Sequence, residues 1–287
     1  MATIASSGMQ EVALPQGVVR YSDQGTGPTL VFIHGIFVNS LIWRQVIPLL
    51  SEHFRCIAPD LPLGAHTVSL RPEADLTPRG VAQIVADFLA ALDLEDVTLV
   101  GNDTGGAICQ LVIAHYPERI TRLVLTNCDA FEAFFPPLVS PFHYGAQFFG
   151  TRFADFLAWM FSARFAQRLL VASVSLRRPD LVILDSYFTP FHNDKGIRRD
   201  LTKFLRTVSN RYTKEAARTF PSFRFPVLIV WGQKDIFFSS ALARRLQQAF
   251  PDSRLEFVSQ SRAFVPEDQP EFLTQRIMEF VNESVKS

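Results

Sequence analysis

Along the chain, short blocks of Val, Ile and Leu alternate with longer stretches in which apolar residues recur every three or four positions. The blocks "GVVRYSDQG", "TLVFIHG", "FRCIAPD", "VTLVGND", "RLVLTNCD" and "PVLIVWGQKD" end in Gly, Asp or Asn, and helix-patterned segments separate most of them. Strands that are apolar at consecutive positions are covered on both faces, as in a parallel sheet with crossover helices. "LTPRGVAQIVADFLAALDL" is such a helix, with Thr77 as N-cap, Pro78 at the first helical position and Val81, Ile84, Val85, Phe88 and Leu89 on one face. The pattern predicts an α/β fold with a doubly wound, mostly parallel sheet.

Between 131 and 215 the rhythm breaks. "FEAFFPPLVSPFHYGAQFFGTRFADFLAWMFSARFAQRLLVASVSL" is aromatic and helical in pattern, and no strand pattern returns until "FPVLIVWG". This predicts an inserted helical cap over 131–215 that divides an α/β core into 1–130 and 216–287.

With 287 residues, 48% of them hydrophobic and 20% charged, the chain is long enough and apolar enough to bury a substantial core. Lys and Arg balance Asp and Glu at 28 each, so net charge points to neither nucleic acid nor anionic lipid. Cys56, Cys109 and Cys128 are odd in number and set in apolar runs, which suits reduced buried thiols. No CxxC or HxxxH spacing supports a metal, and no cofactor is implied. "MATIASSGMQEVALPQG" lacks a basic flank and an apolar leader core, and no run approaches the roughly 18 apolar residues of a spanning helix. The expectation is a soluble, cytoplasmic protein acting on a small molecule, with no nucleic-acid or membrane partner. Oligomeric state leaves no mark in the pattern.

In an open parallel sheet, ligands bind beyond the carboxyl ends of the strands. The most specific turn there is "VTLVGNDTGGAICQLVIAHYPERI", where Gly101-Asn102-Asp103-Thr104-Gly105 joins a strand to a helix as small-x-nucleophile-x-small. Flanking glycines permit a tight turn that lifts the middle side chain into the site, while the following helix's amides favour negative charge. The competing reading is an Asp that merely caps the helix.

On these residues the chain resembles the α/β-hydrolase superfamily, and within it the aspartate-nucleophile branch of haloalkane dehalogenases and epoxide hydrolases. "HGIFVNSLIWRQVIP" is similar to the branch's oxyanion segment, with His34-Gly35 after the third strand and Trp43-Arg44 at the family's spacing. The resemblance implies that Asp103 is the nucleophile and that backbone amides of Phe37 or Ile36, with Thr104, form the oxyanion or halide pocket, His34 serving the loop. Carboxylate attack displaces halide or opens an epoxide and leaves an alkyl-enzyme ester for water to cleave. In the family a His, oriented by an acid, activates that water. Asp235 in "VWGQKDIFF" and Asp129 in "LTNCDAFEAFFPP" occupy the two places such an acid takes, Asp235 being the first choice.

The base departs from the pattern. Family segments resemble G-H-F-x-x-x-D-x-P, whereas "RAFVPEDQP" keeps Phe264, Asp268 and Pro270 but carries Arg262 and Ala263 for the Gly and the His. Alanine cannot accept a proton. Because the neighbouring Gly is replaced as well, the departure is taken as native rather than a single engineered change. His66, in "APDLPLGAHTVSL", follows the strand ending at Asp60 and is the candidate substitute base, set against the reading of a structurally bonded loop His. Asn39 is a candidate halide ligand, Tyr144, Tyr187 and Tyr212 are candidate acids toward an epoxide, and Arg262, if turned inward, would favour an anionic substrate. The expected activity is hydrolysis of an apolar haloalkane, epoxide or ester-like molecule with an altered or attenuated second step. A binding protein that has lost catalysis, and a lyase or isomerase using Asp103 as a base, stay open as alternatives.

Overall fold

The computed structural model describes residues 8–285; the first seven residues of the N-terminal stretch discussed above lie outside them. Among the described residues eight strands form one sheet: β1 (Met9–Leu14), β2 (Gly17–Gln24), β3 (Thr29–Ile33), β4 (Arg55–Pro59), β5 (Val97–Asp103), β6 (Ile120–Cys128), β7 (Val227–Gly232) and β8 (Ser253–Val258). Their order is β1-β2-β4-β3-β5-β6-β7-β8. β2 pairs antiparallel with β1 and β4, and every pairing from β4 through β8 is parallel. The six apolar runs correspond to β2 through β7. The edge strands β1 and β8 escaped that pattern because "MQEVAL" and "SRLEFV" mix polar and apolar positions, as expected of strands covered on one side only. β5 lies mid-sheet and is buried at every position before Asp103.

Twelve α-helices connect or flank these strands: α1 (Ile47–Leu50), α2 (Pro78–Ala91), α3 (Thr104–His115), α4 (Ser140–Phe149), α5 (Thr151–Met160), α6 (Arg164–Val174), α7 (Leu181–Asn193), α8 (Lys195–Thr207), α9 (Asn210–Ala217), α10 (Ser240–Ala249), α11 (Val265–Asp268) and α12 (Pro270–Val285). α2 begins as its sequence predicts: the Thr77 hydroxyl accepts from the Gly80 N–H at 3.1 Å, and Val81, Ile84, Val85, Phe88 and Leu89 are buried. α4 to α9 all fall between β6 and β7; α4, α6 and α7 cover the carboxyl end of β5, and α9 packs on α3. All three cysteines are free and buried. No helix among the described residues is long and apolar enough to cross a membrane.

One carboxylate joins these helices to the sheet. Asp268, 2% exposed at the end of α11, accepts at Oδ1 from the Ser175 hydroxyl (2.7 Å), Leu176 N–H (2.8 Å) and Arg177 N–H (3.0 Å) just past α6. Its Oδ2 accepts from the Arg262 N–H (2.8 Å) and the Ser261 hydroxyl (3.3 Å) just past β8. Removing the acceptor leaves several donors without partners in the interior. Asp268→Ala is expected to lower unfolding stability by about 3 kcal/mol in urea titrations, and Asp268→Asn by less, since one acceptor oxygen survives.

Candidate active site

The strand order reverses between β3 and β5: β3 is followed in the chain by β4 on one side, and β5 packs on the other. Loops leaving such a switch point diverge and leave a crevice at the carboxyl end of the sheet. Asp103 stands there. Its φ of 55° and ψ of −133° put it in the left-handed region that side chains rarely adopt. Two glycines make that turn possible. A Cβ on Gly105 would lie 2.3 Å from the Ile33 carbonyl oxygen, and a Cβ on Gly35 would lie 2.2 Å from Asp103 Oδ2. Asp103 makes no side-chain capping bond to α3, so the capping role does not describe it. Instead Oδ2 accepts from the Ile36 N–H at 3.3 Å, and the neighbouring Thr104 N–H favours the charged carboxylate.

Of the two amides expected beside Thr104, that of Phe37 donates to the Leu63 carbonyl at 3.0 Å, and that of Ile36 is the one that faces Asp103. His34 stabilises the loop: the Leu61 N–H donates to Nε2 at 2.8 Å, so Nε2 is the acceptor and the Nδ1 proton points to the Gly35 carbonyl, also at 2.8 Å. Burial lowers the His34 pKa to about 4, which keeps the ring neutral.

Asp103 opens onto a narrow cavity of about 70 Å³. Its walls come from the β3 loop (Ile36, Phe37, Val38), from α4 (Phe142), α6 (Leu170, Val171, Ser173, Val174) and α7 (Phe188), and from Phe237, Phe238 and Phe264. Among the lining residues only Asp103 and Asp129 ionise. Asp129 accepts from the Phe135 N–H at 2.8 Å and from the Thr104 hydroxyl at 3.4 Å. Asp235 is not in the lining; it is held by the Asn127 side-chain amide at 2.7 Å and the Phe237 N–H at 2.8 Å. Burial pushes Asp103 up to about 7, the nearby Asp235 adding to the rise while the Thr104 and Ile36 amides oppose it. Burial, then the charge of Asp103, raises Asp129 well above the usual carboxylate range. Burial also raises Asp235 to about 6.

Ala263 is fully buried, and its carbonyl accepts from the Asn102 side-chain amide at 2.7 Å, which ties this segment to the residue before Asp103. The Arg262 guanidinium reaches the Ala172 carbonyl of α6, so it does not present a charge to the cavity and the anionic-substrate reading is withdrawn. None of the six histidines lines the cavity. His66 is 2% exposed and its Nε2 lies 3.4 Å from Asp200 Oδ2, a carboxylate that also accepts from the Leu70 N–H and pairs with Arg199. His66 thus stands away from the cavity with Nε2 facing Asp200, which gives no support to its expected part as substitute base. Asn39 commits its amide to the carbonyls of Ser186 and Ala65, which removes it as a halide ligand. Tyr144 is exposed, Tyr187 points to Glu267, Tyr212 accepts from Arg211, and none lines the cavity.

Sequence reasoning missed Glu267, which receives Arg44 and the Gln45 amide (3.1 Å) and so ties α11 to the helical turn in the loop after β3. The charged pair in "VPEDQP" was its only signal.

This fold, with its elbow at the switch point, defines an α/β hydrolase. The family model described as alpha/beta hydrolase fold matches residues 28–270, and the chain belongs to that family. It is 28% identical over 280 residues to haloalkane dehalogenase 2 of Mycobacterium bovis, covering 92% of this chain and 91% of that protein. It is 27% identical over 257 residues to the uncharacterized hydrolase YugF of Bacillus subtilis, covering 88% and 89%. The crystal structure of haloalkane dehalogenase DbeA from Bradyrhizobium elkani superposes with a TM-score of 0.82 over 97% of this chain and 99% of that one, at 18% identity, a likeness of fold.

Two outcomes follow from the electrostatics. The folded chain holds protons on Asp103 at pH values where an unfolded Asp, near 3.8, has lost them. That stabilising contribution is complete below about pH 4 and is lost as pH rises through 7. Asp103→Asn is expected to melt a few degrees above the parent at pH 8, with the gap closing toward pH 4; a gap independent of pH contradicts the raised pKa. His66→Gln, which removes a partner of Asp200 away from the cavity, is expected to lower the melting temperature while leaving chemistry at Asp103 unchanged, as read by the adduct assay described below.

Proposed function

We propose that this protein is a hydrolase-fold enzyme in which Asp103 attacks an electrophilic carbon of a small apolar molecule, with an attenuated second step. The observation that carries the reading is the Asp103 carboxylate, held out by the strained elbow with the Ile36 and Thr104 amides on it, at the floor of an apolar cavity. With Oδ2 on the Ile36 amide, Oδ1 is the oxygen left to attack. The new C–O bond forms as the carbon–halogen or epoxide C–O bond breaks, and the leaving group carries away the electron pair. In hydrolysis, water adds to the ester carbonyl, whose oxygen becomes an oxyanion facing the same amides.

That addition needs a proton acceptor. With alanine at 263, the remaining ionisable group on the cavity is Asp129, a weaker base than a positioned histidine. Loss of a general base costs about 10²- to 10⁴-fold, so the ester outlives its formation. Halide release is favoured over epoxide opening, since the tyrosines expected to protonate an epoxide oxygen lie away from the cavity.

The test is intact-protein mass spectrometry after incubation with a panel of haloalkanes and epoxides. A mass increase that maps to Asp103, forms faster as pH rises through about 7, and persists for minutes or longer is expected. The rise with pH follows because only the ionised carboxylate attacks. The second reading, a small-ligand binding protein, is favoured by the absence of a histidine on the cavity. Reversible binding that Asp103→Asn leaves unchanged, with no adduct across the panel, would establish it in place of the first.

A further inference from the structure

Zero net charge conceals a segregation. Residues 131–215 carry twelve Lys and Arg against seven Asp and Glu, a net +5 that the remainder of the chain balances. The same stretch exposes aromatic rings that a folded chain normally hides: Phe148 is 76% exposed, Trp159 70%, Phe149 67% and Phe156 50%. They sit on adjoining helices. Gly145 of α4 lacks the Cβ that would strike the Phe153 ring of α5, so the helices pack closely there, and rings run on from Phe153 to Phe156 (6.3 Å) and from Phe156 to Trp159 (5.9 Å). Tyr144, one turn before Phe148, is also exposed.

The charge lies beside the rings. An open groove of about 920 Å³ is lined by Phe148 and Phe149 together with Arg152, Arg199, Lys203 and Arg206, against the single carboxylate of Asp75. Arg199 is paired with Asp200 and Lys203 donates to the Pro72 and Ala74 carbonyls, whereas Arg152 and Arg206 have no ion pair among the described residues. On the same face Asp155 is already neutralised by Arg198.

We propose that the outer face of α4 and α5 docks on an anionic phospholipid bilayer, with Phe148, Phe149, Phe156 and Trp159 entering the interface and Arg152 and Arg206 meeting lipid phosphates. Aromatic rings with a basic rim are what the headgroup boundary accepts: rings favour the interfacial layer, and guanidinium groups bind phosphate. A second copy of the chain is the poorer fit, because a twofold contact would set this basic rim against its own image.

The experiment is co-sedimentation of the full chain with vesicles of phosphatidylcholine alone or mixed with phosphatidylglycerol. Binding to the anionic vesicles is expected to be at least about tenfold tighter and to weaken with salt. Trp43 and Trp231 are fully buried, so a blue shift of tryptophan emission on anionic vesicles reads Trp159. The double variant Phe148→Ser/Phe156→Ser should lose the shift and most of the binding, and Arg152→Glu/Arg206→Glu should lose the preference for anionic lipid. Both pairs alter exposed side chains, and unchanged circular dichroism confirms that each variant is folded. No vesicle binding, binding indifferent to both variants, or a concentration-dependent dimer that produces the shift without lipid would overturn the proposal. Docking is independent of the chemistry at Asp103: an adduct without vesicle binding refutes docking alone, and vesicle binding without an adduct refutes the nucleophile alone.

Discussion

The site depends on one backbone constraint, the left-handed turn at Asp103. A residue with φ of 55° resists that conformation unless the surroundings impose it, and here they do so from two sides. From below, Gly105 lets α3 start against the Ile33 and His34 carbonyls, closer than any side chain permits. From above, Gly35 lets the β3 loop lie against the Asp103 carboxylate, while neutral His34 bonds both Gly35 and Leu61 and holds that loop in place. The amides that face the carboxylate are therefore consequences of the turn. Ile36 and Thr104 reach the carboxylate because two glycines allow two loops to meet.

The segment after β8 depends on the same economy of contacts. Where a base would be expected, Ala263 supplies a backbone carbonyl to Asn102, the Phe264 N–H donates to Val174, Arg262 reaches Ala172, and Asp268 gathers five donors from both sides. Three of these four ties run to α6 or the residues just after it. The stretch thus acts as a clasp between the sheet and its helical cover, and the clasp does not require a histidine. On this segment's side only the Ser261, Arg262 and Asp268 ties use side chains, so the clasp is independent of the side chain at 263.

Much of this was legible in the chain and some was not, for identifiable reasons. The strands β2 to β7 and the N-cap of α2 were readable because they follow from local composition, and Gly-x-Asp-x-Gly marked the elbow because strain at one residue demands small neighbours. The location of His66 was not readable, since its partner Asp200 lies 134 residues away on a helix whose docking no local pattern encodes. The choice between Ile36 and Phe37 turned on a single bond from Phe37 to Leu63. The edge strands β1 and β8 were hidden by their polar positions. Charge balance reports only a sum over 287 residues, and the +5 of residues 131–215 is invisible in it.

Three carboxylates, Asp103, Asp129 and Asp235, are raised together around a cavity whose lining holds no cationic side chain. Each ionisation makes the next costlier, so the pocket favours a single negative charge. The geometry says which residue carries it. Asp103 has two amides aimed at its carboxylate and opens to the cavity, whereas Asp129 has one amide and a hydroxyl and bears the charge of Asp103 as its main added burden. Asp129 then rests as the acid while Asp103 is ionised. Under the proposed reaction, esterification of Asp103 removes that repulsion, and Asp129 ionises more readily at the stage when water needs a base.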